Sequence, residues 1–404
     1  MKPLEGINVI DFTRVLAGPT CTRILVELGA SVIKVEPPSG DLARAGSPTA
    51  SGLAGYFLQL NGGKRNLCID LNWPEARKIV FDLCTKADVI VENFRPGTMT
   101  SFSLHYEAIA AVNPKVVFVS MSGYGQNSPW SGRPAFATTV QAESGATATV
   151  LEHFGDNLNT PANDSSSHAD LYTGLEGAIA TLAGLTKCAR TGKGTHADVS
   201  MMATMLNVNE RLHAQINELD NELNEPWALS APHSPMFELA DGSLVTLITS
   251  PVWSPAFGRY CTMMGRNDLR ADPRFQTPDL RREHYDELMA EVRSWMHTFR
   301  TFEELEVQVS GGGGLAVGRV RQASEAVESV WAEEMQPIYE VDVGDHKVRL
   351  PKGPWLFDGQ DSGALPAAAM QGAHNREVLA EAGVDDAIVD SLYERGILYE
   401  IPNR

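Results

Sequence analysis

Basic charge is scarce in this chain. Its 404 residues carry 33 Lys and Arg against 51 Asp and Glu, a formal net charge of −18, and no concentrated basic stretch interrupts that excess. A surface of that sign repels a nucleic-acid backbone, which excludes nucleic acid as a partner. A small anion is not excluded, since a few local cations and backbone donors suffice to hold a phosphate. Long apolar runs are missing too: none approaches the ~20 residues needed to span a bilayer. The opening Met1-Lys-Pro-Leu-Glu-Gly6 lacks the apolar segment of a signal peptide. These absences predict a cytoplasmic protein with no membrane partner. Cysteines are few and scattered (Cys21, Cys68, Cys84, Cys188 and Cys261), odd in number and unpaired by spacing. That pattern predicts free thiols in a reducing compartment, and no Cys/His cluster has metal-ligand spacing, so no metal is expected.

What is present is apolar enough for two cores, with 43% hydrophobic residues. Through the first third, Ile7–Phe12, Ala30–Glu36, Asn66–Asp70, Asp88–Glu92 and Lys115–Ser120 read as short strands. Helices are predicted from Pro19 to about Leu28 and from Pro74 to Lys86. Strands this apolar belong to a parallel sheet covered on both faces, which predicts a Rossmann-like α/β domain. Further on, Leu171–Leu185 is a helical run, Arg190–Gly194 a basic glycine turn, His196–Ser200 a strand and Met201 to about Leu219 a long helix. The polar, proline-bearing stretch from Asn221 to Pro235 reads as a crossover. Beyond it, Glu238–Ile248 is a hairpin turning at Asp241-Gly242. Helices over Trp253–Met264, Arg281–His297 and Phe302–Val309 and a strand at Ala316–Val320 complete a smaller α+β domain. The tail, with helices at Ser324–Glu334, Arg376–Ala382 and Asp386–Arg395 and an extended Lys347–Leu350, is too loop-rich to stand alone. The predicted division is therefore residues 1–220 and 321–404 as the large domain, 221–234 as the crossover and 235–320 as the small domain.

Two phosphate-binding signatures are missing. No Gly-x-Gly-x-x-Gly follows the first strand, where the turn is Arg14-Val-Leu-Ala-Gly-Pro19, and no Walker-type glycine–lysine loop occurs. A Rossmann-like fold alone does not specify a ligand, and a nicotinamide cofactor is not expected here. The informative residue is instead Asp170, within Ser167-His-Ala-Asp-Leu-Tyr-Thr-Gly-Leu-Glu-Gly-Ala178. A carboxylate in the first turn of a helix is favoured by the macrodipole and by itself reads as a cap.

The flanking segments give Asp170 a second reading. Pro3-Leu-Glu-Gly-Ile-Asn-Val-Ile-Asp-Phe-Thr13, the Ala17-Gly-Pro19 turn and Leu28-Gly-Ala-Ser-Val-Ile-Lys-Val-Glu36 resemble the opening of class III CoA-transferases. So do Asn66–Leu71, Asp88-Val-Ile-Val-Glu-Asn-Phe-Arg-Pro-Gly97, Ser122–Gln126, Ala169-Asp170, Thr191–Gly194 and Asn375–Glu381. The resemblance runs nearly end to end and is weakest in the small domain. It implies a CoA-binding large domain with a parallel sheet, a smaller α+β domain, and a ring-shaped chain interlocked with its partner in an intertwined homodimer. It also implies acyl-CoA and a small carboxylic acid as substrates, with no tightly bound cofactor.

In such an enzyme Asp170 is the nucleophile. It attacks the acyl-CoA carbonyl to give a mixed anhydride; the released thiolate then attacks the aspartyl carbonyl, leaving an aspartyl-CoA thioester for the incoming acid to reverse. Backbone N–H groups near the helix start are expected to steady the oxyanion, and the helix N-terminus to lower the Asp170 pKa. By the same resemblance Leu16, Ala17, Ile69, Asp70, Leu71, Asn93, Phe94 and Arg95 contact CoA, with Arg95 the expected phosphate ligand. Two basic residues of the family pattern are missing, their places taken by Pro37 and by Ser101 or Phe102. Arg14, Arg44, Lys64 and Arg65 are candidate replacements. Phe136, Ala137, Thr138 and Gln141 are expected to line the acyl site. A racemase of this family needs a second acid/base group where Phe136 stands, and phenylalanine carries no proton. Transfer is therefore preferred over racemisation alpha to the thioester, and over a paralogue that binds CoA without turnover. His168 reads as a bystander. The segment Leu229–Phe237, with His233, lacks the glycines that cover the intermediate in some transferases, and Gly311–Gly314 lies too late to replace them.

Overall fold

The computed structural model describes residues 1–46, 49–154, 163, 165–210, 212–217, 235–312 and 315–401. His233 and the predicted crossover 221–234 lie outside the described residues, as do Gly313 and Gly314. The chain forms two compact units, Met1–Leu212 with Met335–Arg404, and His213–Glu334.

The larger unit is organised by six parallel strands: β1 (Asn8–Asp11), β2 (Ser31–Glu36), β3 (Arg65–Cys68), β4 (Val89–Glu92), β5 (Val117–Ser122) and β6 (Thr195–Ser200). Their spatial order is β3-β2-β1-β4-β5-β6, the doubly wound order with its reversal between β1 and β4. The alternation of side chains explains why the strands read as apolar throughout. Ile10, Ile33, Leu67, Ile90 and Phe118 enter the core on one face, while Val9, Val32, Val89, Val91, Val117 and Val119 enter the core on the other.

Helix α1 (Ala17–Glu27) carries Pro19 in its first turn, where a missing N–H costs nothing. Helix α2 (Pro74–Lys86) begins on its proline. Helix α3 (Ala137–Glu143) is followed by a helix over Ala146–Phe154 and then by the helix that carries Asp170, α4 (His168–Thr191), 24 residues long and closed by Gly192 in the left-handed conformation. Beyond β6 the long helix expected from Met201 to Leu219 is interrupted: the chain is helical over Met201–Asn207 and again over Leu212–Ile216.

The tail packs on the larger unit. A hairpin of β10 (Ile338–Val343) and β11 (His346–Pro351), of which only part of the second strand is evident in the sequence, packs Val343 and Leu350 against Phe57 and Leu58. Helices Asn375–Glu381 and Asp386–Glu394 place Val378, Leu379, Val389 and Leu392 in the core with Ile10 and Leu67. The smaller unit has an antiparallel sheet of β7 (Met236–Glu238), β8 (Leu244–Leu247) and β9 (Val317–Arg319), with β8 central. The Asp241 carboxylate accepts from Ser243 N–H and Oγ–H to close its hairpin. Helices Ser254–Met263, Tyr285–Met296 and Phe302–Gly312 cover the sheet around Tyr260, Met289, Val292 and Leu305. Among the described residues no helix is long and apolar enough to cross a membrane, and no cluster of metal-ligating side chains occurs.

Candidate active site

At the β1/β4 reversal the chain leaves β1 toward β2 and β4 toward β5, which opens a crevice beyond the strand ends. The β1 exit turn is fixed by buried charge. Asp11 Oδ1 accepts from Thr13 N–H at 2.8 Å, and Oδ2 accepts from Thr22 Oγ–H at 2.7 Å and Lys64 Nζ at 3.1 Å. Lys34 Nζ donates to Thr13 O at 2.6 Å and pairs with Asp41 at 3.0 Å. Asp41 in turn accepts from Val15 N–H at 3.1 Å. Asn93, just after β4, holds both sides of the Arg14 backbone: Oδ1 accepts from Arg14 N–H at 2.8 Å and Nδ2 donates to Arg14 O at 2.9 Å. Val15 sits between these clamps with φ of 66°, left-handed backbone that a β-branched residue adopts only when its surroundings impose it. Burial opposes ionisation of Asp11, but Lys64 and Lys34 outweigh it and hold the carboxyl below its usual range. Burial also pulls Lys64 down to about 8, so that it remains largely charged at neutral pH.

Asp170 occupies the third position of α4, after Ser167 at the N-cap. Asp170 is half-buried, makes no side-chain cap, and has no hydrogen bond or ion pair among the described residues. Burial raises its pKa to about 6. The lowering expected from the helix terminus does not appear: desolvation raises the group and no neighbouring charge or hydrogen bond offsets it. One turn later, Gly174 rests against α1: a Cβ there would come within 2.6 Å of Ala17 O. This contact brings Asp170 beside the Leu16–Ala17 turn.

The other sequence-derived candidates divide into groups. Gln141 is buried and its Oε1 accepts from Ala169 N–H at 3.3 Å, so it anchors the start of α4 from α3. Ala137 packs with Ala169 in the core instead of lining a cavity, whereas Thr138 is exposed and Phe136 is 62% exposed. Leu16 and Ala17 are buried as whole residues, and Ala17 O lies against Gly174 of α4, so neither presents a free surface to a ligand here. Ile69 is 0% exposed inside the core, pairs with Leu398 and offers no side-chain surface to a ligand. Asp70 N–H donates to Ile397 O at 2.8 Å, so the C-terminal segment covers the β3 exit, and Leu71 is buried as well. Asn93 is committed to the Arg14 backbone, and Phe94 packs partly into the core with Arg14 over its ring.

Arg95 is exposed and lines a polar cavity of about 240 Å³ with Glu92, His105, Ser120, Gln126 and His196. Within it Ser120 Oγ and His196 Nε2 lie 3.0 Å apart, and Glu92 accepts from Phe94 N–H at 2.8 Å. Burial pushes Glu92 up to about 7.

Tyr56 is a residue the sequence reading missed. Burial first, then the negative charges of Asp170 and Asp41, push its phenol up to about 12, which keeps it protonated as a donor near Asp170. The available signal was an aromatic residue opening the short helix Gly55–Asn61 just ahead of Lys64.

These features define a doubly wound α/β protein with an ionisable, unpaired carboxylate beside the crevice at its sheet reversal. The sequence model of CoA-transferase family III matches residues 4–375; the chain belongs to that family and is a CoA-transferase. It is similar to the succinyl-CoA:mesaconate CoA-transferase of Haloarcula hispanica, 30% identical over 95% of this chain and 97% of that one. It is also similar to the formyl-CoA:oxalate CoA-transferase of Bradyrhizobium sp. (strain ORS 278), 27% identical over 98% and 97% of the two chains. Among solved structures it resembles Rv3272 from Mycobacterium tuberculosis, with a TM-score of 0.79, 28% identity, and coverage of 94% of this chain and 99% of that one.

Proposed function

We propose that this enzyme moves CoA from an acyl-CoA to a small carboxylic acid through covalent intermediates on Asp170. The observation that carries the reading is a desolvated carboxylate with no structural partner, one helical turn from the Ala17 contact. A group of that kind costs stability and supplies a nucleophile. An Asp170 oxygen attacks the thioester carbonyl, and the C–S bond breaks to give a mixed anhydride and CoA thiolate. The thiolate attacks the aspartyl carbonyl and releases the donor acid, leaving CoA on Asp170 as a thioester. The acceptor carboxylate attacks that thioester, forming a second mixed anhydride and freeing the thiolate. Attack of the thiolate on the acceptor's carbonyl then yields the new acyl-CoA and restores Asp170. Tyr56, held protonated, is a hydrogen-bond donor suited to developing negative charge near Asp170. The β1 exit turn and Asn93–Arg95 loop form the proposed nucleotide end of the site, and Phe136, Thr138 and Tyr56 the acyl end. Leu171, Leu175 and Ile179 form an exposed apolar row at i, i+4, i+8 on α4. A second copy of the chain, interlocked as the family resemblance implies, is the partner proposed to cover it.

The test is to incubate the protein with succinyl-CoA or formyl-CoA and hydroxylamine and analyse its peptides by mass spectrometry. A hydroxamate on Asp170 is expected; no modification across a broad thioester panel overturns the covalent route. Light scattering on the same sample is expected to give twice the chain mass, and a monomer overturns the dimer.

A further inference from the structure

The family pattern lacks two of its cations here, and the structure accounts for the candidate replacements individually. Lys64 is consumed by Asp11, Lys34 by Asp41, and Arg44 by Glu36, at 3.1, 3.0 and 2.8 Å. Arg65 bridges Glu377 and Glu381, beside the N-terminal end of β3 and away from the crevice. Arg14 differs from all of these. Its guanidinium lies over the Phe94 ring at 4.9 Å, has no hydrogen bond or ion pair among the described residues, and keeps Nε buried without a partner. Asp11, Glu36 and Asp41 are each paired at ion-pair distance with Lys64, Arg44 and Lys34, whereas Arg14 feels Asp41 and Glu36 only at longer range.

We propose that Arg14 is the phosphate-binding cation of the CoA site, set over Phe94 and presented to the crevice by the clamped β1 turn. The proposal rests on the reading that CoA binds at this end of the sheet. Its physical basis is preorganisation. The backbone on both sides of Arg14 is bound by Asn93, and the next residue is held in left-handed geometry by Asp41. The guanidinium stands over the Phe94 ring, 4.9 Å from its centroid, and none of its N–H groups is taken by another described residue. Burial pulls the Arg14 pKa down while the neighbouring Asp41 and Glu36 push it up. A phosphate would supply the hydrogen-bond acceptor and counter-charge that the fold withholds. The principal phosphate contact thus moves from Arg95, which is exposed on the rim of the adjacent cavity, to Arg14.

Calorimetric titration of the full chain with CoA, 3′-dephospho-CoA and 4′-phosphopantetheine tests this. Arg14→Gln is expected to weaken CoA binding about tenfold to a hundredfold, the range of a charge-assisted hydrogen bond, and Arg95→Gln by less. Arg14→Lys, which keeps the charge but loses the planar guanidinium, is expected to recover part of the affinity; melting curves of each variant report whether it is folded. A loss seen with CoA but not with dephospho-CoA assigns the 3′-phosphate, and an equal loss with both assigns the diphosphate. Folded Arg14→Gln that binds all three probes as the wild type does overturns the role of Arg14 alone. A wild-type protein that binds none of them overturns the CoA reading, and this proposal with it.

Discussion

Asp170→Asn is expected to lower turnover by at least about a thousandfold while raising the melting temperature. The first effect follows from removing the only group proposed to form the covalent bond. The second follows from its environment. Burial raises the Asp170 pKa from 3.8 to about 6, so between about pH 4 and 6 the folded protein holds a proton that the unfolded chain has released. Stability therefore falls as pH rises through that window, and the full cost of the buried charge is present at pH 7. Allowing for partial exposure, that cost is about 1–2 kcal/mol, or a few degrees in Tm for a protein of this size. The neutral isostere removes it. Melting curves from pH 4 to 8 are expected to separate the variant from the wild type at neutral pH and to converge at the acid end. An Asn variant no more stable than wild type at pH 8 contradicts the burial argument. Wild-type turnover is expected to decline below about pH 6, where the carboxyl becomes protonated and loses its nucleophilicity.

Lys64→Met is expected to be the most destabilising single change in the larger unit. It leaves Asp11 ionised and buried, without the nearest of its cations and with Thr13 and Thr22 as its remaining hydrogen-bond donors. Breaking a buried pair from one side costs about 3–5 kcal/mol, which corresponds to a Tm loss of about 10 °C. Replacing both partners, with Asp11→Leu added, is expected to recover a large part of the stability, because no lone charge then remains. CoA affinity is expected not to recover with it. Asp11 Oδ1 also holds Thr13, and without that anchor the turn carrying Arg14 and Val15 is released. Thermal melting and CoA titration on the two variants separate these outcomes; a double variant that regains both contradicts the assignment of Asp11 to the turn.

The parallel sheet was legible because β1, β2, β4 and β5 are short apolar runs that have to be covered on both faces. The interruption near Val208 was not legible, since Met201–Leu219 contains neither glycine nor proline to mark it. Helix α3 was hidden in a Thr-rich segment of weak propensity, and its packing on Ala137 and Val140 is tertiary. Within the site, the position of Asp170 could be read from its motif, but its pKa direction could not. A one-dimensional pattern shows the helix start and not the desolvation around it. Asn93 and Ile69 show the same limit: one clamps a backbone and the other is sealed in the core, and only the packed chain separates such residues from those with free surface.

The contact between Gly174 and Ala17 has a mechanical consequence. Helix α4 and the first turn of α1 meet at Gly174, where a methyl group would come within 2.6 Å of both Ala17 O and Thr20 Cβ, and so behave as the two jaws of a caliper locked at one opening. The span from that turn to Asp170 is thereby set by the close approach that a glycine at position 174 permits. Substitution of the exposed Phe136 or Thr138, proposed for the acyl end, is expected to leave that gauge unchanged, so that a change of cargo need not alter the measure taken of the carrier arm.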